Sequence, residues 1–373
     1  MDFCVKNALI WHTDGGFAPG ELYVRGGRIA PAYEAPETVD AGGALLCPGL
    51  IDIHTHGRLG GDFCTASEEK LRTLAEDYAR CGVLSLLPTL ASDTLENWQK
   101  ALTRIAKSGC ESFLGVHLEG RWLSPERRGA HALSLLAEPS AGELTALAKA
   151  SPVPIRKVTF APERDKDGAF LAACRAIGAR ASIGHTDADY AQACAALEGG
   201  ADSFTHLFNA MPPLHHRAGG AVAAALTTDA YAELICDGLH VSPEVVRLVF
   251  RSKGCEKLIL ISDSMEGTGC PDGEYAIAGE PAILRNGIAR TPSGALAGST
   301  LDLLQGVRNL AAFCGIPFGK ALICATATPA KSLGLAKELG TLNPGAQAKF
   351  FLLKNEREAL PFFRFPHLNE RIS

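Results

Sequence analysis

No run of apolar residues in this chain approaches the roughly 20 needed to cross a bilayer, so the sequence offers no membrane span. The start, Met1-Asp2-Phe3-Cys4-Val5-Lys6-Asn7, lacks a basic stretch followed by an apolar core, and no secretory signal is expected. None of the 12 cysteines forms a C-x-x-C pair, which removes the zinc-ribbon and dithiol-redox readings. Scattered cysteines without a signal are expected as reduced thiols, several in the core, of a cytoplasmic protein. An excess of one charge is missing too: 36 Lys and Arg face 41 Asp and Glu, a net charge of -5 over 373 residues. That argues against a nucleic-acid or membrane-surface role while leaving room for a local basic pocket that takes an anion. There is no low-complexity segment, and no repeat beyond the strand-helix alternation described next.

What is there starts with His54-Thr55-His56, at the end of the apolar run Cys47-Pro48-Gly49-Leu50-Ile51-Asp52-Ile53. Side chains two apart on a strand face the same way, so both imidazoles project together, an arrangement suited to a divalent metal. An apolar fraction of 47% supplies ample core. Residues 1–48 read as a small β module, with strands at 3–10, 21–24 and 28–30 broken by Gly and Pro turns. From residue 46 strands alternate with amphipathic helices, which favours a parallel sheet. Eight strands are expected, at Leu46–His56, Val83–Leu90, Phe113–Glu119, Arg156–Glu163, Ala181–Thr186, Ser203–Asn209, Glu233–His240 and Leu258–Asp263. Helices are expected at 68–80, at 141–150 under a Ser140 cap, and later at 300–313 and 320–335. The expected fold is therefore α/β: a (β/α)8 TIM-like barrel over 49–335, with a small β-sandwich domain built from 1–48 and 336–373. Short strands around an Asn286-Gly287 turn form a β excursion after strand eight, and Phe350–Leu353 rejoins the N-terminal module. The apolar tail Pro361–Pro366 is expected to dock on the barrel.

In a barrel of this kind the chemistry sits at the C-terminal strand ends. Those ends carry His54 and His56, Thr89, Glu119, Glu163, His185, His206, Asp237 and His240, and Asp263. Random placement would rarely stack so many ligand-type residues on one rim. Glu119, His185 and His206 make a two-histidine, one-carboxylate set of the kind that holds zinc or iron with a position open. Asp263 is placed to move a proton between water and a leaving nitrogen, and His131, after strand three, to stabilise an oxyanion. Each residue also has a plain structural reading: His185 as a core histidine, Glu119 as a helix cap, Asp263 as a loop anchor. Glu163 is read as structural, an ion-pair partner under the rim.

These motifs resemble the amidohydrolase superfamily. Pro48-Gly49-Leu50-Ile51-Asp52-Ile53-His54-Thr55-His56-Gly57 is similar to its first barrel strand. His117-Leu118-Glu119-Gly120, Gly129-Ala130-His131, Ala161-Pro162-Glu163, Gly184-His185-Thr186 and Thr205-His206-Leu207-Phe208-Asn209-Ala210-Met211 narrow the likeness. So do Asp237-Gly238-Leu239-His240, Ser262-Asp263 and Leu296-Ala297-Gly298-Ser299. The set looks like the branch that deacetylates phosphorylated N-acetyl amino sugars. That resemblance implies Glu119, His185 and His206 as principal ligands of zinc or iron, Asp263 as acid/base, and His131 on the acetyl carbonyl. It implies that the backbone at Asn209 and Ala210, with Arg217 and His240, holds the phosphate, and that Leu296, Ala297 and Gly298 flank the sugar. His54 and His56 give capacity for a second metal, where some relatives carry amides. A homodimer is implied, with Arg217 reaching across its interface, and a place in cytoplasmic amino-sugar catabolism.

Three positions depart from the family pattern: Arg121 where Pro is usual, Ser264 for Ala after the acid/base residue, and Lys349 for an Asp near the close. Arg121 could bring a positive charge near the site and alter the preferred sugar, whereas Lys349 reads as structural. Two other functions compete. One is an amidohydrolase of a cyclic amide or acylated amino acid, which would need no phosphate cradle. The other is a catalytically silent barrel, which should have lost ligands that this chain keeps.

Overall fold

The computed structural model describes residues 2–357. Eight parallel strands run in chain order around one sheet: β1 (Leu50–Thr55), β2 (Val83–Leu90), β3 (Val116–Glu119), β4 (Ile155–Phe160), β5 (Arg180–Ile183), β6 (Ser203–Phe204), β7 (Tyr231–Ile235) and β8 (Leu258–Ile261). Apolar residues fill most strand positions, as they must where helices cover the outside; every residue of β2 is buried. Helices α1 (Glu68–Arg80), α2 (Leu95–Ser108), α3 (Ala141–Ala150), α4 (Ala169–Ala176), α5 (Tyr190–Gly199), α6 (Gly220–Thr227), α7 (Pro243–Lys257) and α8 (Leu303–Cys314) return the chain between and after them. Their starts are written in the sequence: Ser67, Thr94 and Ser140 each accept a backbone N–H of the first turn, and Asp189 with Gln192 forms a capping box. This is the (β/α)8 barrel that the alternation predicts.

The seam between β8 and β1 is closed without a regular ladder. The Asp263 N–H donates to the His54 carbonyl at 2.9 Å. The Asp52 carboxylate accepts from the N–H groups of His54 and Ser262, both at 3.3 Å. Lower down, the Cys324 and Ala325 carbonyls accept from Leu260 and Ile51.

Both chain ends share a second sheet. Phe3–Trp11, Phe17–Arg25, Arg28–Ala30, Thr38–Asp40 and Leu45–Pro48 are joined by Phe350–Leu353, which runs antiparallel to Leu45–Pro48. The excursion after β8 is a three-stranded meander, Gly273–Ile277, Glu280–Arg285 and Ile288–Arg290. Its Asn286 and Gly287 lie at φ of 53° and 74°, as a tight hairpin turn requires.

Several element limits differ from expectation. The run 46–56 is two strands in two sheets, divided at Gly49, where an added Cβ would lie 2.8 Å from that of Leu84. Strand six stops at Phe204 rather than Asn209 because His206, Phe208 and Ala210 all turn to positive φ. The helix expected at 320–335 is two short helices, Phe318–Ile323 and Ala327–Ser332, parted where Cys324 and Ala325 serve the seam. Glu163 lies on a 3-10 turn beyond β4 and accepts from the Thr186 hydroxyl and the Asp187 N–H rather than pairing with a cation. The tail 361–366 lies outside the described residues. Among the described residues no helix is long and apolar enough to cross a membrane.

Candidate active site

The barrel strands end in the residues that carry the chemistry, and the backbone bends sharply to aim them. His185, His206 and Asp263 follow β5, β6 and β8 at φ of 48°, 29° and 49°. Left-handed backbone is uncommon for such residues and concentrates where function demands a fixed direction. Gly184 makes room for the His185 turn, since a Cβ there would meet Thr205 at 2.6 Å.

Glu119 sits at the centre. Its Oε2 lies 3.2 Å from His54 Nε2 and 2.9 Å from His56 Nε2. Its Oε1 lies 3.0 Å from His206 Nε2 and 3.4 Å from His185 Nε2. Opposite, Asp263 Oδ1 is 3.3 Å from His56 Nε2 and 3.5 Å from His54 Nε2. All six side chains are buried or nearly so. His185 Nδ1 donates to the Arg127 carbonyl at 2.9 Å and His54 Nδ1 faces Glu233 at 3.2 Å, so the Nε2 atoms are left for the centre. Although buried, Glu119 Oε1 and His54 Nε2 make no hydrogen bond. His206 Nε2 and His185 Nε2 approach each other at 3.0 Å, and converging nitrogens and carboxylate oxygens with such atoms left unpaired fit a divalent cation. Among the described residues two groups bring ligand atoms close together, His54 with His56 and Asp263, and Glu119 with His131 and His185; His131 meets Ser92 through its Nδ1, while His206 Nε2 lies 3.0 Å from Glu119 Oε1.

Burial would raise the Glu119 carboxyl, but the imidazoles of His54, His185 and His206 that face it hold it well below the usual range. Burial is likewise outweighed at Asp263, which His54 and His56 hold down at about 2. His131 goes the other way: burial and the neighbouring His185 hold it well below its ordinary value, so it is neutral.

The tautomer of His131 is set by Ser92, from the loop after β2. The Ser92 N–H donates to His131 Nδ1 at 3.4 Å, and the Ser92 hydroxyl lies 2.7 Å from the same atom. Because the hydroxyl also accepts the Arg121 N–H at 3.1 Å, its own hydrogen is free for Nδ1. The remaining N–H of His131, at Nε2, therefore points into the cavity. Arg121 itself turns away: its guanidinium reaches the Asp93 carbonyl and Glu143, outside the cavity.

The cavity above Glu119 holds about 320 Å³. His56, His131, His185, His206, Asn209, Ala210, His240, Asp263, Leu296 and Gly298, all candidates from the sequence, line it. His240 is steadied by Asp237, 2.6 Å from its Nδ1. Ala297 is buried behind this wall rather than on it, and its N–H donates to the Ala289 carbonyl. Arg217 is exposed on a loop against His216 and does not line the cavity of its own chain. Among the described residues no Lys or Arg side chain lines it. Sequence reasoning gave no site role to Phe208, though it lies in the quoted Thr205–Met211 motif, and missed Ile277, Ala278 and Ala295, whose only signal is position in a loop or meander, and Ser92.

Similarity to known proteins agrees with this geometry. An N-acetylgalactosamine-6-phosphate deacetylase of Escherichia coli O157:H7 is 38% identical over 95% of both chains. An N-acetylglucosamine-6-phosphate deacetylase of Vibrio furnissii is 37% identical over 87% of this chain and 84% of its own. A variant of the Mycobacterium smegmatis N-acetyl-D-glucosamine-6-phosphate deacetylase, solved with N-acetyl-D-glucosamine-6-phosphate, superposes with a TM-score of 0.87 at 32% identity, over 96% of each chain. Residues 45–369 match the amidohydrolase family as a whole. With imidazoles and carboxylates gathered on the rim of a (β/α)8 barrel and that match across most of its length, the chain belongs to the amidohydrolase family.

Proposed function

We propose that the protein hydrolyses the N-acetyl group of N-acetylglucosamine 6-phosphate, giving glucosamine 6-phosphate and acetate in amino-sugar catabolism. The observation that carries this reading is Glu119 set between two pairs of imidazoles, with Asp263 across from it at the floor of a sugar-sized cavity. Glu119, His185 and His206 would hold zinc or iron, and His54 and His56 with Asp263 offer ligands for a second ion. Such a cation polarises an amide carbonyl and acidifies water.

The chain's own groups account for the rest. Asp263, kept ionised, takes the proton from the attacking water and delivers it to the leaving nitrogen. His131 donates its Nε2–H to the acetyl oxygen as charge builds there. Leu296, Ile277 and Ala278 supply an apolar wall for the sugar and acetyl group. His240 and the backbone at Asn209 and Ala210, where the Asn209 N–H is turned to the His206 carbonyl, suit the phosphate, and Arg217 from a second copy of the chain would add the missing positive charge. The assembly is thus a homodimer, and the reaction is cytoplasmic. A phosphate cradle counts against a cyclic-amide substrate, and the full set of ligands counts against a silent scaffold.

The Escherichia coli relative, named for the galactosamine epimer, favours a second reading in which N-acetylgalactosamine 6-phosphate is preferred. Turnover on the glucosamine, galactosamine and mannosamine substrates, with metal analysis of the same batch, decides between them. The highest kcat/KM on the glucosamine substrate is expected, with loss of activity on chelation and recovery on adding zinc or iron. A tenfold preference for the galactosamine substrate would replace the sugar, and full turnover by verified metal-free protein would overturn the mechanism.

A further inference from the structure

Beneath the site lies an ion pair that the reaction as written does not use. Lys157 on β4 and Glu233 on β7 are both sealed inside the barrel, 1% and 0% exposed. Lys157 Nζ donates to Glu233 Oε1, and Glu233 Oε2 faces His54 Nδ1 at 3.2 Å. Burying two charges is costly, and apolar side chains of the same volume would often pack as well or better. A pair kept here in spite of that cost points to a task.

We propose that Glu233, braced by Lys157, is the positioning residue that makes His54 a metal ligand. A carboxylate against Nδ1 holds the hydrogen on that nitrogen, which frees the Nε2 lone pair. Nε2 is the atom that faces Glu119 and Asp263 at 3.2 and 3.5 Å and makes no hydrogen bond. The rings of His117 and His206 lie 4.7 and 5.5 Å from that of His54, so packing limits the ring's position while Glu233 selects which nitrogen faces the site. This role rests on the metal-centre reading above and extends it one layer down.

The test is zinc stoichiometry and affinity, measured by competition against a chromophoric chelator. Lys157→Met with Glu233→Leu removes both charges together, so that no buried charge is left unpaired. It should weaken the site that includes His54 by roughly 10–100-fold. Lys157→Met with Glu233→Gln, which restores a neutral acceptor for Nδ1–H, should recover affinity to within about threefold. His54→Asn should lose as much as the Met/Leu pair, and combining all three should add less than about twofold, because the residues act through one nitrogen. Unchanged affinity in the Met/Leu variant, no recovery with Gln, or losses that multiply in the triple variant would each overturn the positioning role alone. A parent protein that binds no zinc or iron would overturn the metal centre and this role together.

Discussion

At the scale of single residues, His185, His206 and Asp263 share a left-handed backbone, and this aims three side chains from three strands at one point. Asp263→Asn keeps the shape and removes the base. We expect kcat to fall by at least about 10²-fold while the metal held by Glu119, His185 and His206 and the thermal stability stay near the parent's; retained turnover would remove Asp263 from the mechanism. Ser92→Ala removes the hydroxyl that helps fix the His131 tautomer, and kcat should drop roughly 3–10-fold with KM little changed. A KM effect of that size with unchanged kcat would place Ser92 in binding instead. The residue types at the strand ends were legible because metal and acid/base chemistry use few side chains, and these recur at the ends of apolar runs. Ser92 and Glu233 were not, because they act on partners 39 and 179 residues away, and no spacing or periodicity marks such a contact.

At the scale of elements, alternation and caps revealed the strands and helices, while their limits were obscured by turns that spacing does not announce. Gly49 divides one apolar run between two sheets, and the Cys324-Ala325 turn divides one helix to fill a seam. Lys349 shows what such joints cost. It sits between the second sheet and the barrel, donating to the Ser85 hydroxyl at 3.1 Å, and burial lowers its pKa to about 8. Between pH 8 and about 10.4, the ordinary lysine value, the unfolded chain binds more protons than the folded one. This residue therefore makes stability rise with pH across that window and costs stability below it. Lys349→Met should flatten that rise and, after the lost hydrogen bonds, stabilise the protein at pH 7 by about 2 kcal/mol. Denaturant titrations at pH 7 and 10 measure both effects, and an unaltered slope would refute the assignment.

At the scale of the whole molecule, a mildly acidic chain has built a cavity with imidazoles and carboxylates but no Lys or Arg side chain among its described lining. If a second copy lends Arg217, Arg217→Ala should raise KM for a phosphorylated substrate by about 10–100-fold and leave kcat within about twofold. Unchanged kinetics would dismiss the loan. Another property of the whole follows from Leu45–Pro48 lying beside Phe350–Leu353. A ribosome that has just released the first of these strands must add about 300 more residues before the second exists, about 15–60 s at ordinary speeds of synthesis. Throughout that interval a nascent strand edge stands open, and chaperones or neighbouring nascent chains have that long to find it.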